Sequence, residues 1–360
     1  MRIGIDAREL CGRATGVGRY LGGLVREWAA DPAALQHEFV LYAPEPLAVA
    51  VDAARFTTRI VAGAPGTWWE QVRLPRIADD DRLGVFFAPA YTAPLDIDAP
   101  SVVAIHDLSF VAHPEWFRIR EGMRRRWLTR QSAARARAVV TISEFSRGEL
   151  IDLLGVPDTR IHVIPPGLGP QASGLGLQVS DFGLRVLFVG SIFNRRHVPD
   201  LIRAFGPIAQ AHANATLDIV GDNRSFPRED LGQTIAAEGL QARVHWHEYL
   251  ADAQLQDFYA RARAFGFLSE YEGLGLTPLE ALAAGVPSVL LDTPVARESC
   301  GDAALYVPVN DRRAATRALE AVLFDEATRS RLLGAAPAVL TKYDWARAAR
   351  ETLAVLVSVR

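Results

Sequence analysis

The sequence predicts an α/β protein built from two doubly wound lobes, and three observations carry the prediction. Short apolar runs recur along the whole chain with helical or loop stretches between them, the pattern of parallel strands joined by crossover helices. At 360 residues the chain is longer than one hydrophobic core usually supports, so two domains are the default. A stretch rich in glycine and proline, 168–176, breaks the alternation near the middle and marks a linker between one domain at 1–167 and another beginning at 177. Ligands of such sheets bind beyond the carboxyl ends of the strands, so the residues that follow each run are the ones to read for chemistry.

The first strand is Arg2 to Asp6. A loop leads to Gly16-Val17-Gly18, where a helix begins and runs to about Ala30. The glycines there serve either to let helix and strand pack or to let a ligand approach the backbone at a helix start. Their spacing is not the G-x-G-x-x-G of dinucleotide-binding folds, and no acidic residue ends a second strand at the required distance, which argues against NAD. Further strands are expected at 39–43, 59–62, 85–88, 101–106, 139–143 and 161–165. His106 and Asp107 stand at the end of the 101–106 run, as a hydrogen-bonded structural pair or as groups facing a ligand. Asp96-Ile97-Asp98 falls in a loop ahead of that run and reads as surface, with no obligate Mg²⁺ or Mn²⁺ expected. From Arg118 to Arg137 there are eight arginines against one glutamate, with Phe117, Met123, Trp127 and Leu128 beside or among them. This is either a solvated helix face or a basic, aromatic-bearing helix that rests on anionic lipid headgroups.

The second half opens with the run 185–192, a turn carrying Arg195 and Arg196, and a helix. Arginines in a turn are often solvated, but a pair beyond a strand end can clamp a diphosphate bidentately. Strands are expected at 216–220, 243–247, 264–268 and 288–291. After 264–268 comes Glu270-Tyr271-Glu272-Gly273-Leu274-Gly275-Leu276-Thr277-Pro278, which opens a helix with Thr277 as N-cap and Pro278 at the first helical position; the helix closes at Gly285, before Pro287. A glycine loop running into a helix start aims free N–H groups and the positive helix end at one spot, the geometry that receives phosphate. Glu272 and Glu280 frame that spot. Thr277 and Glu280 also satisfy a capping box, so Glu280 either bonds back to the helix start or faces a ligand.

The totals restrict the classes of function. Composition is that of an ordinary globular enzyme, 49% apolar and 22% charged. A net charge of −3 argues against a generally basic nucleic-acid binder. Cys11 and Cys300 are far apart and show no metal-ligand spacing. The first residues already form a strand and lack the features of a signal peptide, and no run approaches the ~18 apolar residues of a membrane span, so a cytoplasmic protein is expected. Lys342 is the sole lysine and lies outside every glycine loop, which argues against a pyridoxal phosphate enzyme.

Glu272-x7-Glu280 within EGLGLTPLEALAAGVP resembles the donor-site motif of family-4-type retaining glycosyltransferases of the GT-B fold. The resemblance implies two Rossmann-like domains facing a central cleft: an acceptor domain at 1–167, a nucleotide-sugar domain at 177–342, and a terminal helix at 343–360 that crosses back to the first. It implies that Glu280 holds the ribose, that Glu272 faces the donor sugar, and that the amides of Gly275, Leu276 and Thr277 take the diphosphate. Gly16 and Gly18 match the family's glycine loop, and His106 its residue facing the reacting sugar and phosphate. The family carries an Arg just after the strand glycine and a Lys in the turn. Here Ser191 holds the first position and Arg196 the second, with Arg195 as its possible substitute. His247, Glu248 and Tyr249 fall where the family's nucleotide base lies. Ile3 to Arg8, Gly16 to Tyr20 and His106 to Phe110 look like bacterial mannosyltransferases of polysaccharide assembly, which points to GDP-mannose, with a UDP-hexose as the alternative donor. A saccharide or lipid-linked acceptor, possible peripheral docking at the inner membrane through 118–137, and no cofactor or metal complete the implied reading. A nucleotide-sugar epimerase is the alternative enzyme, and an exported two-domain binding protein the alternative without chemistry.

Overall fold

The computed structural model describes residues 1–12, 16–169 and 183–359. The expected linker lies outside the described residues from 170 onward. The chain divides into two compact units, Met1–Gly167 with Tyr343–Arg360, and Leu168–Lys342.

The first unit contains a seven-stranded sheet of β1 (Arg2–Asp6), β2 (Glu38–Ala43), β3 (Phe56–Ile60), β4 (Val85–Ala88), β5 (Ser101–Ala104), β6 (Ala138–Thr141) and β7 (Ile161–Val163). The order is β3-β2-β1-β4-β5-β6-β7, and every pairing is parallel. Alternate residues of each strand feed two cores. Phe39, Leu41, Val85, Phe87, Val102 and Ala104 face one; Val40, Tyr42, Phe86, Ala88 and Val103 face the other. Burial on both faces is why these strands read as unbroken apolar runs. β3 is the exception. It is an edge strand in which only Phe56 is buried, so its apolar signal is weak and the expected 59–62 misses its start. The helix Gly16–Ala30 and the terminal helix Trp345–Ser358 pack on the first core, where the Trp28 indole donates to the Ala349 carbonyl at 2.9 Å.

The second unit has six parallel strands: β8 (Arg185–Val189), β9 (Thr216–Val220), β10 (Val244–His247), β11 (Ala264–Phe267), β12 (Ser288–Leu291) and β13 (Ala304–Val307). Their order is β10-β9-β8-β11-β12-β13. β13 was not expected from periodicity, because its middle residues Leu305 and Tyr306 are only half-buried at the sheet edge. Strand order reverses between β1 and β4 in the first sheet and between β8 and β11 in the second. Among the described residues, no helix is long and apolar enough to cross a membrane.

Candidate active site

The reversal point of the second sheet collects the charged residues singled out above. Beyond β8, Gly190 turns the chain at φ +143°, and a Cβ there would lie 2.6 Å from Arg196 Nη1. Glycine is therefore required for the guanidinium to occupy its place. A short 3₁₀ turn, Asn194–Arg196, then leads into the helix Val198–Ala211. Arg196 donates from Nε and Nη2 to the two Glu272 carboxylate oxygens at 2.7 and 2.9 Å, and from Nη1 to the Ser191 carbonyl at 2.9 Å. The bidentate fork holds both side chains in one orientation. Ser269, just past β11, donates its hydroxyl to Glu272 at 2.8 Å. Burial pushes the Glu272 carboxyl up, but the Arg196 charge and hydrogen bonds, the Arg195 charge and the Ser269 hydroxyl outweigh it and hold the group below its ordinary range. A backbone bond from Glu270 N–H to the Arg195 carbonyl, 2.8 Å, ties the two strand-end loops together.

The helix beyond the glycine loop begins earlier than expected. It spans Leu276–Ala283 with Gly275 as N-cap in the left-handed region, φ +85°. Thr277 and Pro278 are therefore its second and third residues, and the expected Thr277 cap is corrected. Glycine adopts positive φ without strain, so the turn closes at Gly275 and no side chain caps it. With the cap displaced, the Thr277–Glu280 capping box does not form at this helix start. Glu280 is 6% exposed, and the Tyr259 hydroxyl donates to it at 3.3 Å. Gly275, Leu276 and Thr277 occupy the first positions of the helix, where backbone N–H groups have no intrahelical acceptor. Pro278, which lacks an N–H, falls among those same unpaired positions. Arg195 is turned away from an open clamp: its Nε donates to the Tyr271 carbonyl at 3.3 Å and its guanidinium lies 4.3 Å from the centre of the Phe193 ring.

In the first unit, β5 ends at Ala104, two residues short of the expected 106, so His106 joins Asp107 beyond the strand. They do not bond each other. His106 is buried, with Nε2 2.8 Å from the Pro89 carbonyl, and its ring meets Tyr20 and Tyr91 edge-on at 4.6 and 5.6 Å. A carbonyl only accepts, so Nε2 carries the proton and Nδ1 is the acceptor. Burial lowers its pKa against the Pro89 bond and the Asp107 charge, which keeps the ring neutral. Asp107 accepts instead from the Tyr91 hydroxyl at 2.8 Å and from the Ser109 amide and hydroxyl at 2.9 and 2.6 Å. Gly16 opens its helix with open space around a would-be Cβ, while Gly18 is buried. Ser269 and Tyr259, the partners of Glu272 and Glu280, were missed in the sequence. The signal for Ser269 was its place immediately beyond a buried strand; for Tyr259 there was none.

Two family models cover most of the chain: Glycosyl transferases group 1 over residues 182–338 and Glycosyltransferase Family 4 over residues 14–171. The chain belongs to this family of retaining hexosyltransferases, whose donors are nucleotide sugars, and it has the GT-B fold. It is similar to O-antigen chain mannosyltransferase B of Escherichia coli, 25% identical over 281 residues, 75% of this chain and 73% of that protein. Mannosylfructose-phosphate synthase of Agrobacterium fabrum is 28% identical over 156 residues, 39% of this chain and 34% of that protein. Among solved structures, HepE of Anabaena in complex with UDP and glucose superposes with a TM-score of 0.77 at 18% identity, covering 99% of each chain. WaaG, a glycosyltransferase involved in lipopolysaccharide biosynthesis, also reaches 0.77, at 16% identity over 99% of this chain and 100% of that one.

Proposed function

We propose that this chain transfers mannose from GDP-mannose to a saccharide or lipid-linked saccharide during assembly of a cell-surface polysaccharide. The observation that carries the donor assignment is the Arg196–Glu272 pair held beside the helix start at Gly275. As the glycosidic C–O bond breaks, negative charge develops on the β-phosphate of the leaving nucleoside diphosphate. The Gly275, Leu276 and Thr277 amides and the remaining Arg196 N–H groups are the sources of positive charge that stabilise it. Glu272 accepts from a hydroxyl of the donor sugar, and Glu280 from the ribose. The acceptor hydroxyl attacks from the face the leaving group vacates, in an ion-pair-like transition state that retains configuration. His106, Gly16, Gly18, Ser191 and Arg195 are assigned to donor contact by the family resemblance alone.

Mannose is favoured by the similarity to the Escherichia coli mannosyltransferase. A second reading, a UDP-hexose, is favoured by the likeness to HepE, solved with UDP and glucose. Incubation with a panel of nucleotide sugars, read by thermal shift and nucleoside diphosphate release, decides between them. GDP-mannose should give the largest shift and release, and a larger response to a UDP-hexose would overturn the mannose assignment.

The same reading places the protein at an anionic membrane surface through the helix Ile119–Arg135. Ile119, Met123 and Trp127 recur every four residues, are 78%, 58% and 55% exposed, and form one apolar stripe. Arg120, Arg124 and Arg130 are exposed on the same helix. Arg124 and the exposed Trp68 also line a groove of about 580 Å³. Apolar side chains that insert beside arginines that pair with phosphate are the composition of an interfacial helix.

A further inference from the structure

The first unit carries a charged cluster outside the donor machinery. Asp6 ends β1, and the strand order reverses between β1 and β4, so the crevice beyond those two ends is where a doubly wound sheet receives a ligand. Arg8 Nη2 lies 2.8 Å from Asp6 Oδ2 and donates to Glu70 Oε1 at 2.6 Å, and the Thr92 hydroxyl donates to the same Glu70 oxygen at 2.5 Å. Glu70 comes from a π-helical turn, Trp69–Arg73, in which the Leu74 N–H donates to the Trp69 carbonyl five residues back. Such turns are rare and frequent at functional sites, because the extra residue re-aims a side chain. Gln71 pins the turn to the chain beyond β4, donating to the Ala93 carbonyl and accepting from the Leu95 N–H, both at 3.0 Å.

The cluster is not satisfied by its own members. Glu70 is 2% exposed, yet among the described residues its Oε2 accepts no hydrogen bond. Arg8 Nε and Nη1 likewise donate to nothing, and the Arg8 side chain is 12% exposed. These atoms are not sealed from solvent, so open donors and an open acceptor side by side at a strand-end crevice are available to a ligand that offers both. Adjacent sugar hydroxyls do so. The charge balance separates this crevice from its counterpart in the second unit. There two carboxylates, Glu272 and Glu280, are matched by Arg196 and the Arg195 charge and joined by a helix start, a balance suited to a diphosphate. Here, among the described residues of the cluster, two carboxylates stand with one arginine, and the surplus is negative.

We propose that Asp6, Arg8 and Glu70 form a subsite for a neutral saccharide end of the acceptor, binding its hydroxyls through Arg8 and Glu70 and rejecting phosphorylated sugars. The proposal rests on the glycosyltransferase reading and names the class of acceptor. Its test uses the intact protein, with methyl glycosides of neutral hexoses and the matching hexose 6-phosphates as probes. Saturation-transfer NMR on the wild type should detect the glycosides and not the phosphates. Glu70→Gln should lose that signal and raise the acceptor KM at least tenfold, with the donor KM and the acceptor-independent release of nucleoside diphosphate unchanged. If Glu70→Gln does not fold, Arg8→Lys, which keeps the charge and loses the planar fork, carries the same expectation. Binding of the phosphates in preference to the glycosides, or a wild-type acceptor KM in the folded variant, overturns the proposal. The NMR measurement needs no donor. Glycoside binding lost in the variant supports the subsite even where no nucleotide sugar turns over, and that silence would sink only the donor reading.

Discussion

Arg196 and Glu272 hold each other, so neither side chain acts alone. All three guanidinium nitrogens of Arg196 already donate within the protein, and the N–H groups left over on Nη1 and Nη2 point from a fixed fork. Arg196→Ala and Glu272→Ala should each lower transfer at least about a hundredfold, the usual loss when one charge-stabilising group is removed. The double variant should be little worse than either, because the pair acts as a unit. Steady-state rates, with melting curves to show a folded chain, check this, and wild-type rates in both single variants would remove the assignment. Asp6 gives a prediction of a different kind. Burial raises its pKa, the Arg8 charge pulls it down and the Glu70 charge pushes it up again, from 3.8 to about 6. The native state therefore holds this proton more tightly than the unfolded chain does, and stability falls as pH rises through about 4 to 6. Ionising Asp6 costs up to about 3 kcal/mol. Asp6→Asn escapes that cost, so its melting temperature relative to wild type should climb between pH 4 and 7; an offset that does not change with pH would refute the linkage.

At the scale of the element, two helices show how local sequence and surroundings divide the work. The helix Leu276–Ala283 starts at Gly275 because a positive-φ glycine closes the loop before the threonine and proline signals arrive. The helix Ile119–Arg135 buries Gly122, Leu128, Thr129, Ser132 and Ala133, and leaves Ile119, Met123 and Trp127 in solvent. Within it, Arg125 lies over the Tyr91 and Phe110 rings at 4.8 and 4.4 Å and serves packing, while Arg120, Arg124 and Arg130 are exposed. Replacing Ile119, Met123 and Trp127 together with serine should weaken co-sedimentation with anionic vesicles by roughly tenfold or more, since three apolar insertions are lost. The nucleotide-induced thermal shift should stay as it was. Equal vesicle binding by the variant and the wild type would make this helix an ordinary solvated face.

At the scale of the whole molecule, the last eighteen residues, 343–360, belong to the first unit although the second lies between them and the rest of it. Leu353, Val355 and Leu356 enter its core beside the helix Gly16–Ala30. Leu356 is fully buried there, so Leu356→Ala should cost about 2–5 kcal/mol through lost burial and the cavity left behind. Calorimetry should show the melting of the first unit lowered, with the nucleoside diphosphate shift of the second retained. Loss of that shift instead would mean that the helix supports the donor site directly.

The chain sequence by itself determined the α/β class, the buried strands of both sheets and the family motif, because two-faced burial writes continuous apolar runs and a glycine loop writes its own spacing. It also placed Arg196, Glu272 and Glu280 as the residues to watch. What it left undecided were the contacts between distant segments: Arg196 meets Glu272 across 76 positions and Arg8 meets Glu70 across 62. The edge strands β3 and β13 were blurred for a related reason, since the exposed residues of one and the half-buried residues of the other need no apolar pattern. Periodicity and capping act over a turn or two of chain, whereas ion pairing depends on which strand ends the sheet order brings side by side. Only the tertiary structure decides that order, and with it which charged groups meet at each crevice.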